Sequence, residues 1–126
     1  MIVLAPISIG ELIDKITILE IKMVNIRDSA KLKNVERELD ELKTILSKLD
    51  LPDITQLKKD LGYVNADLWM IEDFKRRCEQ EQDFSSEFIR AARQVYQMND
   101  ERARIKREIN SLCGSTIVEE KSYANV

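Results

Sequence analysis

The chain has 126 residues, 44% of them hydrophobic and 34% charged, with three glycines and two prolines. That length can bury a substantial core, and that composition suits long helices better than strands or disorder. A net charge of −3 supplies no field for nucleic acid or an anionic membrane, and the absence of histidine removes the commonest general base, zinc ligand and neutral-pH switch.

The opening MIVLAPI lacks the basic lead and long apolar run of a signal peptide. No stretch approaches the roughly 18 uninterrupted apolar residues of a membrane span. The first helix is expected from Ile9 to about residue 27, with Ser8 and Glu11 at the spacing of a capping box. Its apolar positions Ile9, Leu12, Ile16, Leu19, Met23 and Ile26 step by three and four. Asp28 can cap a second helix over about 30–49, carrying Leu32, Val35, Leu39, Leu42, Leu46 and Leu49 at the same spacing. Pro52 breaks the chain, and Asp53 with Gln56 opens a third helix over about 54–80 through Leu57, Leu61, Val64, Leu68 and Ile71. QDFSS makes the next turn, Ser85 or Ser86 caps a fourth helix over about 86–113, and Gly114 suits the left-handed stop.

Apolar spacing of three and four, joined by short turns, predicts an all-α fold. It is read as an antiparallel up-and-down four-helix bundle forming one domain over 1–126. A three-helix arrangement with the first two helices fused is the alternative. IVLA and STIV are rich in β-branched residues and are expected to be extended, with the option of pairing. The tail over 115–126 closes with EEKSYANV. Cys78 and Cys113 fall near opposite ends of neighbouring helices, roughly 36 Å apart at the helical rise. They read as free thiols in a reducing cytoplasm.

Glu20 lies within the apolar arc of the first helix, at about 20° on a wheel with Ile9 at zero. A charge there costs several kcal/mol unless paired, on the order of the penalties known for buried ions. The fourth helix turns polar along its inward stripe at Asn99, Arg102, Lys106 and Asn110, and the third carries Asn65 and Glu72 beside Trp69. Reflecting heights through turns near residues 29, 51 and 83 puts Glu20, Asn65 and Arg102 on one level. The expectation is a Glu20–Arg102 ion pair inside a polar layer between helices one, three and four. Such a layer either fixes register or lines a pocket, in which Arg102 and Lys106 grip a small anion and the asparagines read hydroxyls or carbonyls.

Arg104 and Arg107 complete a basic run, but it wraps round the helix beside Glu101 and Glu108, which reads as a solvated face. No cofactor motif is present, metal ligation would rest on carboxylates alone, and without histidine no usual catalytic triad can be assembled. On the third helix Tyr63, Met70 and Phe74 share the face opposite the core stripe, and Ile18 does the same on the first. A stripe of large apolar side chains points to a partner, here a second copy in a homodimer.

Four motifs, GELIDKITILEIK, DLGYVNADLWMIED, QVYQMNDERARIKREIN and EEKSY, together resemble a bacterial family of short uncharacterised helical domains across nearly the whole chain. The resemblance carries no reaction. It implies that Glu20, Asn65, Trp69, Asn99, Arg102 and Lys106 belong to recognisable motifs, as do Glu119, Glu120, Lys121 and Tyr123. The tail would then fold back and contribute Lys121 or Tyr123 to a site. The first helix alone also resembles that of the all-helical chorismate mutases, which would make a small anion-binding enzyme the alternative. The reading favoured is a non-enzymatic bundle acting by protein or small-ligand contact.

Overall fold

A computed structural model describes residues 1–123. It has four α-helices: α1 (Ile9–Asn25), α2 (Ser29–Ser47), α3 (Thr55–Glu81) and α4 (Ser86–Cys113). No strand occurs among the described residues, so IVLA and STIV do not pair as strands. The first seven residues lie exposed. Helices one and two are separate, with the break at Ile26–Asp28.

The helix ends follow local chemistry. The Ser8 hydroxyl accepts from the Glu11 amide at 3.1 Å, satisfying one of the free donors of the first turn. The reciprocal half of the expected capping box does not form: the Glu11 carboxylate turns to Lys106 Nζ, 2.6 Å away. Asp28 caps α2 by accepting from the amides of Ala30 and Lys31. Helix α3 begins one residue later than expected, at Thr55, where Asp53 accepts from both the amide and the hydroxyl. Ser85 stands at the N-cap of α4 without a side-chain bond, and it is Asp83 that accepts from the Ser85 amide. Gly114 closes α4 at φ +68°, in the left-handed region where a Cβ would be strained.

Helix α1 is the centre of the bundle. It packs against each of the other three, α3 and α4 form the most extensive pair, and α2 lies close to α1 alone. Two apolar seams result. Leu12, Ile16 and Leu19 meet Val35 and Leu39 of α2. On the other side of α1, Ile13 meets Leu61 and Val64 of α3 and Ile105 and Ile109 of α4. Leu46 touches both seams.

Gly10 sets the distance between α1 and α4. A Cβ built on it would stand 2.6 Å from the Lys106 carbonyl oxygen and 2.8 Å from Asn110 Oδ1, closer than atoms can approach. The Gly10 amide donates to that same Asn110 oxygen at 2.6 Å. The first turn of α1 is thereby pressed onto the last turns of α4, and this contact fixes the height at which their polar side chains meet. Cys78 and Cys113 are free thiols, and burial pushes both above the ordinary thiol pKa.

Candidate functional site

At the level set by Gly10, the faces of α1, α3 and α4 carry polar side chains into the bundle. Asp14 of α1 is the hub, its side chain 1% exposed. Its Oδ1 accepts from Arg102 Nε and from Asn65 Nδ2, each at 2.9 Å, and its Oδ2 accepts from Arg102 Nη2. This is the two-pronged match of a planar guanidinium to a carboxylate. Asn65 Nδ2 also donates to Thr17 Oγ1 at 2.9 Å, and the Thr17 hydroxyl donates to the Asp14 carbonyl oxygen at 2.8 Å. Among the described residues no fully shielded side-chain nitrogen or oxygen of this knot lacks a partner, as burial requires.

The expected polar layer therefore exists and holds Asn65 and Arg102 on one level, but its acid is Asp14, not Glu20. Glu20 pairs with Lys58 of α3 at 3.4 Å, and its side chain is 42% exposed. The oxygen facing Lys58, Oε1, is shielded from water and makes no hydrogen bond, so the contact is an ion pair alone. The error has two physical sources. Counting heights through successive turns assumes that each helix neighbours the next, whereas α2 does not lie against α3 and α1 meets α3 and α4 directly. Moreover, a central helix is buried over more than its apolar arc. Thr17, Gly10 and Asp14 lie at about 80°, 100° and 140° on the same wheel, outside the leucine–isoleucine stripe yet buried. A glycine at the start of an amphipathic helix was the available signal for that second contact face.

One turn below, Lys106 of α4 is 12% exposed and donates to Glu11 at 2.6 Å and to Glu119 at 3.1 Å. The Ser8 hydroxyl donates to the other Glu119 oxygen at 3.1 Å. Burial works against the Lys106 charge, but the bonds to Glu11 and Glu119 outweigh it and hold its pKa above the ordinary lysine value. The Asp14 carboxylate likewise raises the Arg102 pKa, against the opposing effect of burial. Both cations stay charged at every physiological pH.

Glu119 anchors the C-terminal segment to the bundle, and Lys121 adds a second anchor by donating to Asp100 at 2.6 Å. The Lys121 ammonium also sits 5.4 Å from the Tyr123 ring centre, within cation–π range. Through Glu119 and Lys121 the segment up to Tyr123 lies back against the bundle, whereas the last three residues of the expected tail lie outside the described residues. Between it and α4 lies a cleft of about 720 Å³ lined by Val95, Tyr96, Asn99, Asp100, Arg102, Ala103, Lys106, Lys121 and Tyr123. Arg102 forms part of its wall with its side chain 30% exposed. Its Nη1 has only a long 3.4 Å bond to Asn99.

The remaining expected residues are dispersed. Glu72 pairs with Lys75 at 3.6 Å and borders a smaller groove with Ile18, Trp69 and the far side of Arg102. Asn110 is spent on the Gly10 amide. Tyr63 and Met70 are exposed on α3, whereas Ile18 and Phe74 are half-buried in two different grooves, so the four do not make one stripe. Arg104 faces outward to Glu101 and Glu108, as a solvated face should. A wider opening, about 930 Å³, is a mainly apolar groove between α1 and α3 where Glu20 and Lys58 sit, with Thr17 of the Asp14 network in its lining. No helix of the described residues is long and apolar enough to cross a membrane.

Glu11 and Asp14 of GELIDKITILEIK, Arg102 and Lys106 of NDERARIKREIN and Glu119 of EEKSY meet in one place, because the α1–α4 contact at Gly10 and the returning segment bring them there. No curated protein and no solved structure matches the chain. A family model does, over residues 3–126, and the chain belongs to that family of unknown function, DUF6165.

Proposed function

We propose that this protein is a binding domain whose cleft between α4 and the C-terminal segment takes a small anionic ligand. The observation that carries this reading is the state of Arg102. Asp14 locks two of its nitrogens from behind and so fixes the guanidinium, while Nη1 keeps only the long bond to Asn99, and Arg102 lines the same cleft as Lys121. A cation held rigid by a buried partner is pre-organised for an anion, since little conformational freedom remains to be lost on binding. Asn99 and Asp100 stand next to it for hydroxyl or amide groups. With both free thiols retained, a reducing cytoplasm is the compartment that suits the chain.

The test is thermal unfolding with sodium acetate or inorganic phosphate, against sodium chloride at matched ionic strength. A saturable rise in Tm of several degrees is expected, in line with about 2.7 kcal/mol at a hundredfold excess over Kd. Lys121→Met, which changes an exposed pair, should weaken the affinity about tenfold or more, the value of one bond to a charged group. Stabilisation no greater than chloride gives would overturn the reading.

We also propose that a second copy covers the exposed Tyr63 and Met70 on α3, seven residues apart and hence on one face of the helix. Light scattering on a dilution series should return twice the chain mass at micromolar concentration. A monomer throughout refutes dimerisation and leaves the cleft reading untouched.

A further inference from the structure

The cleft has two walls of different origin, and each brings an aromatic ring. Tyr96 comes from α4 and is exposed; Tyr123 comes from the returning segment and is exposed as well. Val95 and Ala103 supply apolar surface between the polar groups. An exposed tyrosine alone means little. Here both line the same cavity of about 720 Å³, and the cation beside one of them is held in place: Lys121 is fixed by Asp100 and lies against the Tyr123 ring.

The charges restrict the ligand further. Glu11, Asp14 and Glu119 already engage Lys106 and the inner edge of Arg102, so among the described residues the donors left for a ligand are Arg102 Nη1, with its long bond to Asn99, and the remaining N–H groups of Lys121. Asp100 stands against Lys121 and repels a compact, highly charged anion. A single negative charge that is planar and presented at the end of a ring meets both conditions. From this arrangement we infer that the ligand is an aromatic carboxylate. Its carboxylate meets Arg102 and Lys121, and its ring lies on the Tyr96 and Tyr123 side chains. Stacked or edge-to-face rings add to the area they bury, and Asn99 is placed to read a ring hydroxyl. This rests on the anion reading above and narrows it to a class.

The experiment separates the two. Calorimetric titration of the full chain with acetate and with benzoate compares one head group with and without a ring. Benzoate should bind at least about tenfold more tightly, the sum expected of two aromatic contacts. Tyr96→Leu and Tyr123→Leu should each lower the benzoate affinity about three- to fivefold, in the range of one aromatic pair. Both should lower acetate affinity by less than they lower benzoate affinity. Equal affinity for acetate and benzoate, or tyrosine variants that bind benzoate like wild type, overturns the ring assignment and leaves the anion reading standing. If neither anion binds, both fall.

Discussion

Asp14→Ala is expected to destabilise the fold by about 3 kcal/mol, near the lower end for breaking a buried ion pair. The carboxylate is fully enclosed and takes three hydrogen bonds, two from Arg102 and one from Asn65. Its removal strands the Nε and Nη2 donors of Arg102. That guanidinium is 30% exposed and can recover some hydration from the cleft, which keeps the loss from reaching about 5 kcal/mol. Arg102→Met should cost more, because the group left behind is the enclosed one, with Lys106 Nζ 3.9 Å away as its other cation among the described residues. The pair Asp14→Leu with Arg102→Met should cost less than either single change, since no unpaired charge remains. Urea unfolding of these variants and the wild type measures all of this, with the single Asp14→Leu variant added to close the cycle. Strict additivity in that cycle would mean the two groups do not depend on each other. Glu20→Ala is the control: its half-exposed pair with Lys58 is worth under about 1 kcal/mol.

The contrast between Glu20 and Asp14 marks where the sequence stops being legible. The four helices, Asp28 as a cap, Gly114 as a stop and the inward stripe of α4 could all be read. Each is a local pattern, set by backbone donors within one turn or by which side of one helix meets a neighbour. Asn65, Arg102 and Lys106 were found because each interrupts an apolar stripe on its own helix. Asp14 and Thr17 interrupt nothing: they flank the stripe of α1, and only a helix with neighbours on three sides buries that flank. Which helices touch is a tertiary fact, and α2 stands away from α3 even though the two are consecutive. The role of Glu119 was out of reach for the same reason. A carboxylate thirteen residues after Lys106 finds it only because the chain reverses at Gly114.

The two-seam core leads to the second large effect. Ile16→Ala and Ile109→Ala should each cost about 2–5 kcal/mol, since both side chains are wholly enclosed and the bundle cannot close fully over the space left. They lie in different clusters, Ile16 between α1 and α2 and Ile109 among α1, α3 and α4. Additivity can be tested only in protein that still folds, and two such losses approach the whole stability of a domain, about 5–15 kcal/mol. Ile16→Val and Ile109→Val, at about 0.5–1.5 kcal/mol each, serve that purpose. Their double variant should equal the sum within about 0.5 kcal/mol, as for sites without shared partners. A larger coupling would mean that Leu46, which touches both clusters, joins them into one core. Hydrogen exchange gives an independent reading. With only α1 beneath it, α2 should open at lower free energy than α3 or α4, and Ile16→Ala should speed exchange in α2 well beyond its effect on α4. Equal acceleration in both helices would show that the α1–α2 seam does not open on its own.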